Sequence, residues 1–504
     1  MSMKAEELTK LKKEFLEEEG RIIKSVQELG FESSQLIEFM SAEPDYNLDQ
    51  AEASHFIDLQ NQAKQLEKQR LLLFAQELVV DELNKKHAVV HTDRFHILTE
   101  KRDPIYGGTD FILESKQSFK DMYENQKVQL PSGKPMSKSK IWLESETRRE
   151  YEGLIFHPHP EKLEGNYYNI WRGFAIAPKK GSCEKFKQHI LNVICKGNPS
   201  YFEYVWKWCA RLDQMPHLLG EVALALIGEQ GTGKNTFVNA LGEIFGSHYR
   251  PLDNLHQLLG QFNFHLKNAV LIHGNEALWG GNKKDIGKLK ALITEKEKNI
   301  EAKGKDIITI PNFTHLILSS NEDWAVHLDR DDRRFFVLHV SNEHKEDKAY
   351  FKGIHDELNH GGLEAFLFEL LQEDISDFNH RQPPYSTEAF EMKLMSGNSC
   401  ERYIYEALKL GCFDLGNASP AECWQSEKQK NSVYIDYGIW CENEGELKQS
   451  NATLGKAFNK LIPSVETIRP RTESRTRCYL FPELNIARKG FEKAYKVSPI
   501  VWNL

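Results

Sequence analysis

The stretch LALIGEQGTGKNTFVNALGEIFG, residues 224–246, decides how this chain is read. An apolar run, VALALIG (222–228), has the length and composition of a short buried strand. The loop GEQGTGK (228–234) follows, and NTFVNALGEIF (235–245) then has helical spacing. A glycine-rich turn between a strand and a helix lets backbone N–H groups converge on phosphate oxygens. The helix N-terminus adds a favourable dipole, and a lysine reaches the β- and γ-phosphates. Gly228, Glu229, Gln230, Gly231, Thr232, Gly233, Lys234, Asn235 and Thr236 are therefore the nucleotide-binding candidates, with ATP and Mg²⁺ as the expected cofactors. Such loops usually place a serine or threonine after the lysine, whose hydroxyl meets Mg²⁺. Here Asn235 stands in that place. Its amide oxygen is an acceptable ligand type for Mg²⁺. Thr236 has a hydroxyl, but one helical step turns it by about 100°.

Three downstream segments extend the site. KNAVLIHGNEALW (267–279) is an apolar strand ending in Asn275-Glu276. Glu276 is expected to polarise an attacking water. Asn275 and Glu276 join Asn235 in the expected Mg²⁺ shell. THLILSSNED (314–323) is a third apolar strand, and Asn321 at its end can position water beside a terminal phosphate. HLDRDDRRFFVLHV (327–340) puts Arg333 and Arg334 before another strand. A guanidinium supplied across a subunit boundary stabilises charge on a phosphoryl group in transfer, and Asp331 and Asp332 can orient it. Lys234, Glu276, Asn321, Arg333 and Arg334 are thus the catalytic candidates.

Composition bounds the rest. At 504 residues the chain has room for about three domains. It is 40% hydrophobic and 28% charged, and no run of about 20 apolar residues suggests a membrane span. The eight cysteines are dispersed without a C-x-x-C pair, which speaks against structural zinc and suits a reducing cytoplasm. The net charge of −9 hides an asymmetry. Residues 1–70 hold nine Lys/Arg against fifteen Asp/Glu, whereas residues 448–504 hold eleven against four. A locally basic terminus suits a phosphate backbone.

The expected fold class is multidomain α/β. Residues 1–75 read as amphipathic helices, 76–135 as a small α+β unit opening with two strands in HAVVHTDRFHILTE, and 136–215 as an aromatic-rich lead-in whose rings are mostly core. Residues 216–345 alternate strand and helix signals around the phosphate loop, 346–385 are a helical extension ending at RQPP, and 386–504 form a further domain. Within this last domain, SVYIDYGIWCENEGELKQSNATLGKAFNKLIPSVETIRPRTESRTRCYLFP (432–482) reads as helix, connector, helix and β-hairpin. Ser450 or Asn451 is expected to cap the second helix, with Leu454, Phe458 and Leu461 on its buried face. Arg469, Arg471, Arg475 and Arg477 crowd the hairpin tip. The histidines of HPHP (157–160) have metal-capable spacing, but the prolines and the missing third ligand favour a plain loop.

The order Lys234, Glu276, Asn321, Arg333/Arg334 resembles the helicase module of superfamily 3, and more narrowly that of phage- and plasmid-borne primase–helicases related to the poxvirus primase–helicase. YNIWRGF, QFNFHLKNAVLIHGNEA, SSN and DRDDRRFF carry the likeness, over roughly residues 140–345. The resemblance implies an AAA+-like P-loop ATPase domain, a hexameric ring, and translocation on single-stranded DNA to unwind forked duplexes during replication of a phage, plasmid or other mobile element. Family members usually carry Ser/Thr at the place of Asn235 and an acidic pair at Asn275-Glu276. The segment 289–313 is a lysine-rich helix and a turn at Lys303-Gly304-Lys305. In similar helicases a hairpin there projects into the ring channel, so Lys303 and Lys305 would face phosphates, while Lys296 and Lys298 read as a solvated surface. The C-terminal helix–helix–basic hairpin resembles a winged-helix DNA-binding domain, with the four arginines on its wing. No Asp-x-Asp pair suits a primase or polymerase, so a separate primase or polymerase is an expected partner, with the acidic N-terminal helices as the candidate docking element. Two other readings stay open: an origin-binding or DNA-loading AAA+ ATPase without processive unwinding, and a DNA-binding scaffold with a degenerate ATP site.

Overall fold

The structure, a computed structural model, describes residues 17, 19–28, 36–42, 50–91, 95–102, 109–129, 134–159, 164–275, 283–301, 303, 307–321, 328–415, 424–469, 476–497, 500 and 502. The chain divides into two compact units, one of residues 1–104, 109–155 and 163–170, the other of 105–108, 156–162 and 171–504.

The first unit begins with helical residues 19–28, a short helix α1 (Leu36–Ser41) and a long helix α2 (Gln50–Asn84). Phe56, Leu59, Ala63 and Leu66 of α2 bury against Ile22, Val26 and Phe39. The buried Gln60 amide donates to the carbonyls of Phe39 (2.8 Å) and Ala42 (2.7 Å), which satisfies the open end of α1. The helix runs past residue 75 because Val79, Val80 and Leu83 continue its apolar face into a second core. That core sits on a sheet of β1 (His87–His91), β2 (Phe95–Arg102), β3 (Thr109–Glu114) and β6 (Glu150–Tyr151), in the order β3-β2-β1-β6. Small pairs β4 (Lys127–Gln129)/β5 (Pro135–Ser137) and β7 (Gly153–Ile155)/β8 (Tyr167–Asn169), with helices α3 (Lys116–Met122) and α4 (Lys138–Glu144), complete it. The α+β unit therefore reaches residue 170, well past 135. Trp142 of α4 is the reason: it is fully buried and donates to the Asn84 side chain at 2.9 Å.

The second unit opens with α5 (Glu184–His189), which runs into a π-helical turn at Ile190–Ile194, and α6 (Pro199–Gln214), capped by Asn198. Its centre is a five-stranded sheet of β9 (Ala223–Ile227), β10 (Tyr249–Leu252), β11 (Leu271–Asn275), β14 (His315–Ser320) and β15 (Phe335–His339). The order is β10-β11-β14-β9-β15 and every pairing is parallel. The five residues of β9 are all buried, as a central strand covered on both faces must be. Helices α7 (Lys234–Phe245), α8 (Leu255–Leu259) and α9 (Lys283–Thr294) connect the strands. Between α9 and β14 the chain makes an antiparallel hairpin of β12 (Glu297–Ile300) and β13 (Ile308–Pro311). Helices α10 (Lys348–Glu357) and α11 (Leu363–Gln372) follow the sheet.

The C-terminal part holds α12 (Thr387–Ser396), α13 (Ser399–Leu410), β16 (Glu427–Gln429), α14 (Lys430–Asn443), α15 (Asn451–Leu461), β17 (Glu466–Ile468), β18 (Cys478–Leu480) and α16 (Leu484–Tyr495). Ser450 caps α15 by accepting from the Thr453 N–H, and Leu454, Phe458 and Leu461 are fully buried. The strands form an antiparallel sheet in the order β16-β18-β17. The expected pair is thus a three-stranded sheet, because Glu427–Gln429 joins it at β18. The seven described cysteines are buried and free. Among the described residues no helix is long and apolar enough to cross a membrane.

Candidate functional site

Parallel pairing puts the C-terminal ends of β9, β11 and β14 at one edge of the sheet, where open α/β sheets form crevices. The loop after β9 occupies this edge. Gly231 and Gly233 adopt φ of +82° and +94°, and Gly233 is the residue preceding α7. A Cβ on Gly233 would lie 2.5 Å from His189 Cε1 and 2.7 Å from Phe351 Cε1, so only glycine fits there. The end of α5 and the start of α10 thus bracket the loop. His189 Nε2 lies 3.2 Å from the Gly233 carbonyl and Nδ1 lies 3.1 Å from the Tyr350 hydroxyl. Burial lowers the His189 pKa to about 4, so its ring is neutral at pH 7.

Lys234 is buried at the first turn of α7. Its ammonium donates to the carbonyls of Gly228 and Glu229 (2.8 Å) and to Asn321 Oδ1 (3.0 Å). The lysine and the polar residue after β14, 87 positions apart, therefore meet. Thr232 is buried and closes the loop by donating its hydroxyl to the Glu229 carbonyl at 2.9 Å. Glu229 pairs with Lys345 and accepts from Asn342 at 2.7 Å, and the hydrogen bond from Lys345 holds its pKa below the usual range. The Glu346 N–H donates to the Gly231 carbonyl at 3.1 Å. This outer rim, residues 342–355, was not anticipated from the sequence. Its signal is only a run of polar residues after the last strand.

The loop opens on a cavity of about 770 Å³ lined by residues 230–236, Asn275, Asn321, Glu346, Lys348, Phe351, Lys352 and His355. Asn235 is exposed and Thr236 half-buried, and both side the cavity. Asn275 Oδ1 accepts from the Ser319 hydroxyl at 3.1 Å. Ser319 lies 2.8 Å from His273, which lies 3.3 Å from the Tyr249 hydroxyl. A buried polar chain therefore backs the cavity across β11 and β14. Glu276 lies outside the described residues.

Arg333 and Arg334 are elsewhere. The Ala223 N–H donates to the Arg334 carbonyl at 2.8 Å, so these arginines sit beside the first residue of β9. Five residues of strand separate them from the phosphate loop, roughly 16 Å at about 3.3 Å per residue. Neither lines the cavity of its own chain. Arg333 is exposed. Arg334 is half-buried, and Asp332 accepts from its backbone N–H at 2.9 Å and lies 3.7 Å from its guanidinium.

The β12–β13 hairpin leaves from this same opposite edge, just before β14. Lys303 in its turn is exposed; Lys305 lies outside the described residues. Lys298 departs from expectation. Its ammonium is enclosed, donating to the Leu266 carbonyl (2.9 Å) and the Thr314 hydroxyl (3.1 Å), and burial lowers its pKa to about 7. Alternation along β12 turns residue 298 inward at the hairpin's base, whereas Lys296 is exposed as expected. Beside the base lies a groove of about 1030 Å³, bounded by Leu259, Asn263, Lys298 and Ile307 among others.

Arg469, just after β17, and Arg477, just before β18, are exposed, while Arg471 and Arg475 lie outside the described residues. His157 and His159 stack with ring centroids 5.4 Å apart, and His159 meets His217 at 4.1 Å. Among the described residues no group of three or more His, Cys, Asp or Glu is placed to hold a metal ion.

Comparison with known proteins adds three findings. Residues 226–334 match a family of unknown function, DUF5906. A stretch of 228 residues, 43% of this chain, is 30% identical to a DNA primase-polymerase of Nitratiruptor phage NrS-1, and it covers 32% of that protein. The chain thus matches about a third of the phage protein's length. The apo C-terminal region of NrS-1 (305–718) superposes with a TM-score of 0.57 at 19% identity, over 80% of this chain and 98% of that one. A second apo form of that region gives 0.57 at 20% identity. The chain is similar in sequence to part of a phage DNA primase-polymerase, and its mixed α/β multidomain fold is that of the NrS-1 C-terminal region.

Proposed function

We propose that this protein is a phage-type replication ATPase that assembles as a hexameric ring and uses ATP to move along single-stranded DNA and open forked duplexes. In this reading residues 216–345 are an AAA+-like superfamily 3 helicase domain, and residues 386–504 are a winged-helix-like DNA-binding domain whose exposed Arg469 and Arg477 meet phosphates. The observation that carries the reading is the sorting of the candidates to two edges of one sheet. Lys234, Asn275 and Asn321 share the cavity, while Arg333, Arg334 and the Lys303 hairpin lie at the other edge. A guanidinium whose backbone stands roughly 16 Å from its own phosphate loop would serve a neighbouring subunit's nucleotide.

The backbone N–H groups of Gly231–Thr236 would cradle the phosphates, and Lys234 would exchange the carbonyls of Gly228 and Glu229 for phosphate oxygens. Asn321, already on Lys234, would orient the attacking water, and Glu276 would take its proton. The donors at the site are amide and hydroxyl oxygens, with the Asn275 oxygen already accepting from Ser319. They fit a Mg²⁺ ion held mainly by phosphates and water, with Asn235 and Thr236 as its protein neighbours. When bound, the ion would neutralise charge on the transferring phosphoryl group.

The similarity to a phage primase-polymerase supports a role in phage DNA replication. A strand-displacement assay on a forked duplex tests the proposal. ATP-dependent release of the labelled strand is expected; ATP turnover without any release would refute unwinding.

A further inference from the structure

The arginine loop is gripped by a lysine from the helix that precedes the β12–β13 hairpin. Lys290, near the end of α9, reaches Asp329 Oδ2 at 2.5 Å and Asp332 Oδ2 at 2.7 Å. These aspartates flank Arg330 and Asp331, so one ammonium pins both sides of the turn before Arg333. Asp332 in turn holds the backbone N–H of Arg334 at 2.9 Å. Its carboxylate is fully buried and the Lys290 side chain is only 14% exposed, so water competes little for the contact.

The helix that carries this lysine is tied to the hairpin at its C-terminal end. Within that end the Lys290 carbonyl accepts from the Thr294 hydroxyl at 2.8 Å. The buried Asn312, where β13 ends, donates to the carbonyls of Leu292 (2.8 Å) and Glu295 (2.9 Å), and its N–H donates to the Lys296 carbonyl. The end of α9 and the base of the hairpin are therefore tied together through Asn312.

We propose that Lys290 is a positioning residue that couples the hairpin to the arginine loop, so that DNA held by the hairpin sets the reach of Arg333 and Arg334 toward the neighbouring subunit's nucleotide. The inference rests on the ring reading above. Lys290 touches no nucleotide: it stands at the sheet edge opposite the cavity, so it affects turnover without affecting binding.

The test compares Lys290→Met, Lys290→Arg, Asp329→Asn and the double variant Arg333→Ala/Arg334→Ala in the full chain. Turnover is measured with and without single-stranded DNA, and ATP affinity by fluorescent-nucleotide titration. Lys290→Met is expected to lose at least 10-fold in DNA-stimulated kcat with ATP affinity within about 2-fold, Lys290→Arg to restore most of it, and Asp329→Asn to lose less. If the arginine variant loses turnover and Lys290→Met does not, the coupling is wrong and the ring reading stands. If the arginine variant keeps full turnover, the ring reading falls and the coupling with it. A Lys290→Met loss shared equally by nucleotide affinity and melting temperature, unrescued by arginine, makes the lysine a fold support and overturns the coupling.

Discussion

Gly233→Ala puts the phosphate loop's construction to a quantitative test. Two costs are built into the position. At φ +94° an alanine pays about 1–2 kcal/mol for left-handed backbone. Its Cβ would also stand 2.5 Å from His189 and 2.7 Å from Phe351, two rings fixed on different elements, and overpacking of this kind costs about 1–3 kcal/mol. Together these give about 2–5 kcal/mol. Gly197 is the control: its φ is +71°, but nothing lies within 4 Å of an added Cβ, so Gly197→Ala should cost about 1–2 kcal/mol. At roughly 2 °C per kcal/mol for a unit of this size, differential scanning fluorimetry should find Gly233→Ala melting about 4–10 °C below wild type. Any part of the cost shed by loop distortion should appear as lost phosphate contacts, at least about 10-fold in nucleotide affinity. A Gly233→Ala protein matching Gly197→Ala in melting temperature, with nucleotide affinity within 3-fold of wild type, would refute the reasoning.

Two further predictions follow from buried bases. Lys298 titrates near 7 when folded and near 10.5 when unfolded, so between those values the unfolded chain binds more protons and stability rises with pH. Wild type should therefore gain melting temperature from pH 7 to 9 relative to Lys298→Met, and parallel curves would show that the ammonium is not enclosed. His189, His248 and His273 have pKa values lowered to about 4 by burial, and His315 to about 3. Their neutral forms stabilise the fold fully above pH 6.5, and that stability, on the order of 3 kcal/mol per group, drains away as pH falls toward 4. The pH dependence of unfolding over this range should reveal uptake of three or more protons beyond the carboxylates, and His273→Asn should remove about one; no change in that variant would contradict the assignment.

The parts of this molecule legible in the sequence are those set by local chemistry. The strand–loop–helix of residues 222–245 needs no long-range information, because glycines at 231 and 233 and an apolar run before them specify it. The Ser450 cap and the buried face of α15 follow from helical periodicity in the same way. Strand ends were legible too, and parallel pairing brought Asn275 and Asn321 together. What periodicity cannot convey is which edge of the sheet a residue occupies once strands are ordered. Arg333 and Arg334 are near Asn321 in sequence and far from it in space. Lys298 looks like its neighbour Lys296 until strand alternation turns its ammonium inward onto the Leu266 carbonyl and the Thr314 hydroxyl. The rim at 342–355 has no pattern of its own, since it is defined by contacts with Glu229 and Gly231. The extent of the first unit was hidden because Trp142 packs against a helix almost 60 residues earlier.

The most direct test of the central claim is ATP hydrolysis with and without single-stranded DNA, with wild type measured beside Glu276→Gln. The account predicts DNA-stimulated turnover in wild type and its loss in the variant with nucleotide binding retained. Nucleotide binding without turnover in wild type would contradict it and make the phosphate loop a structural or switching site rather than a motor.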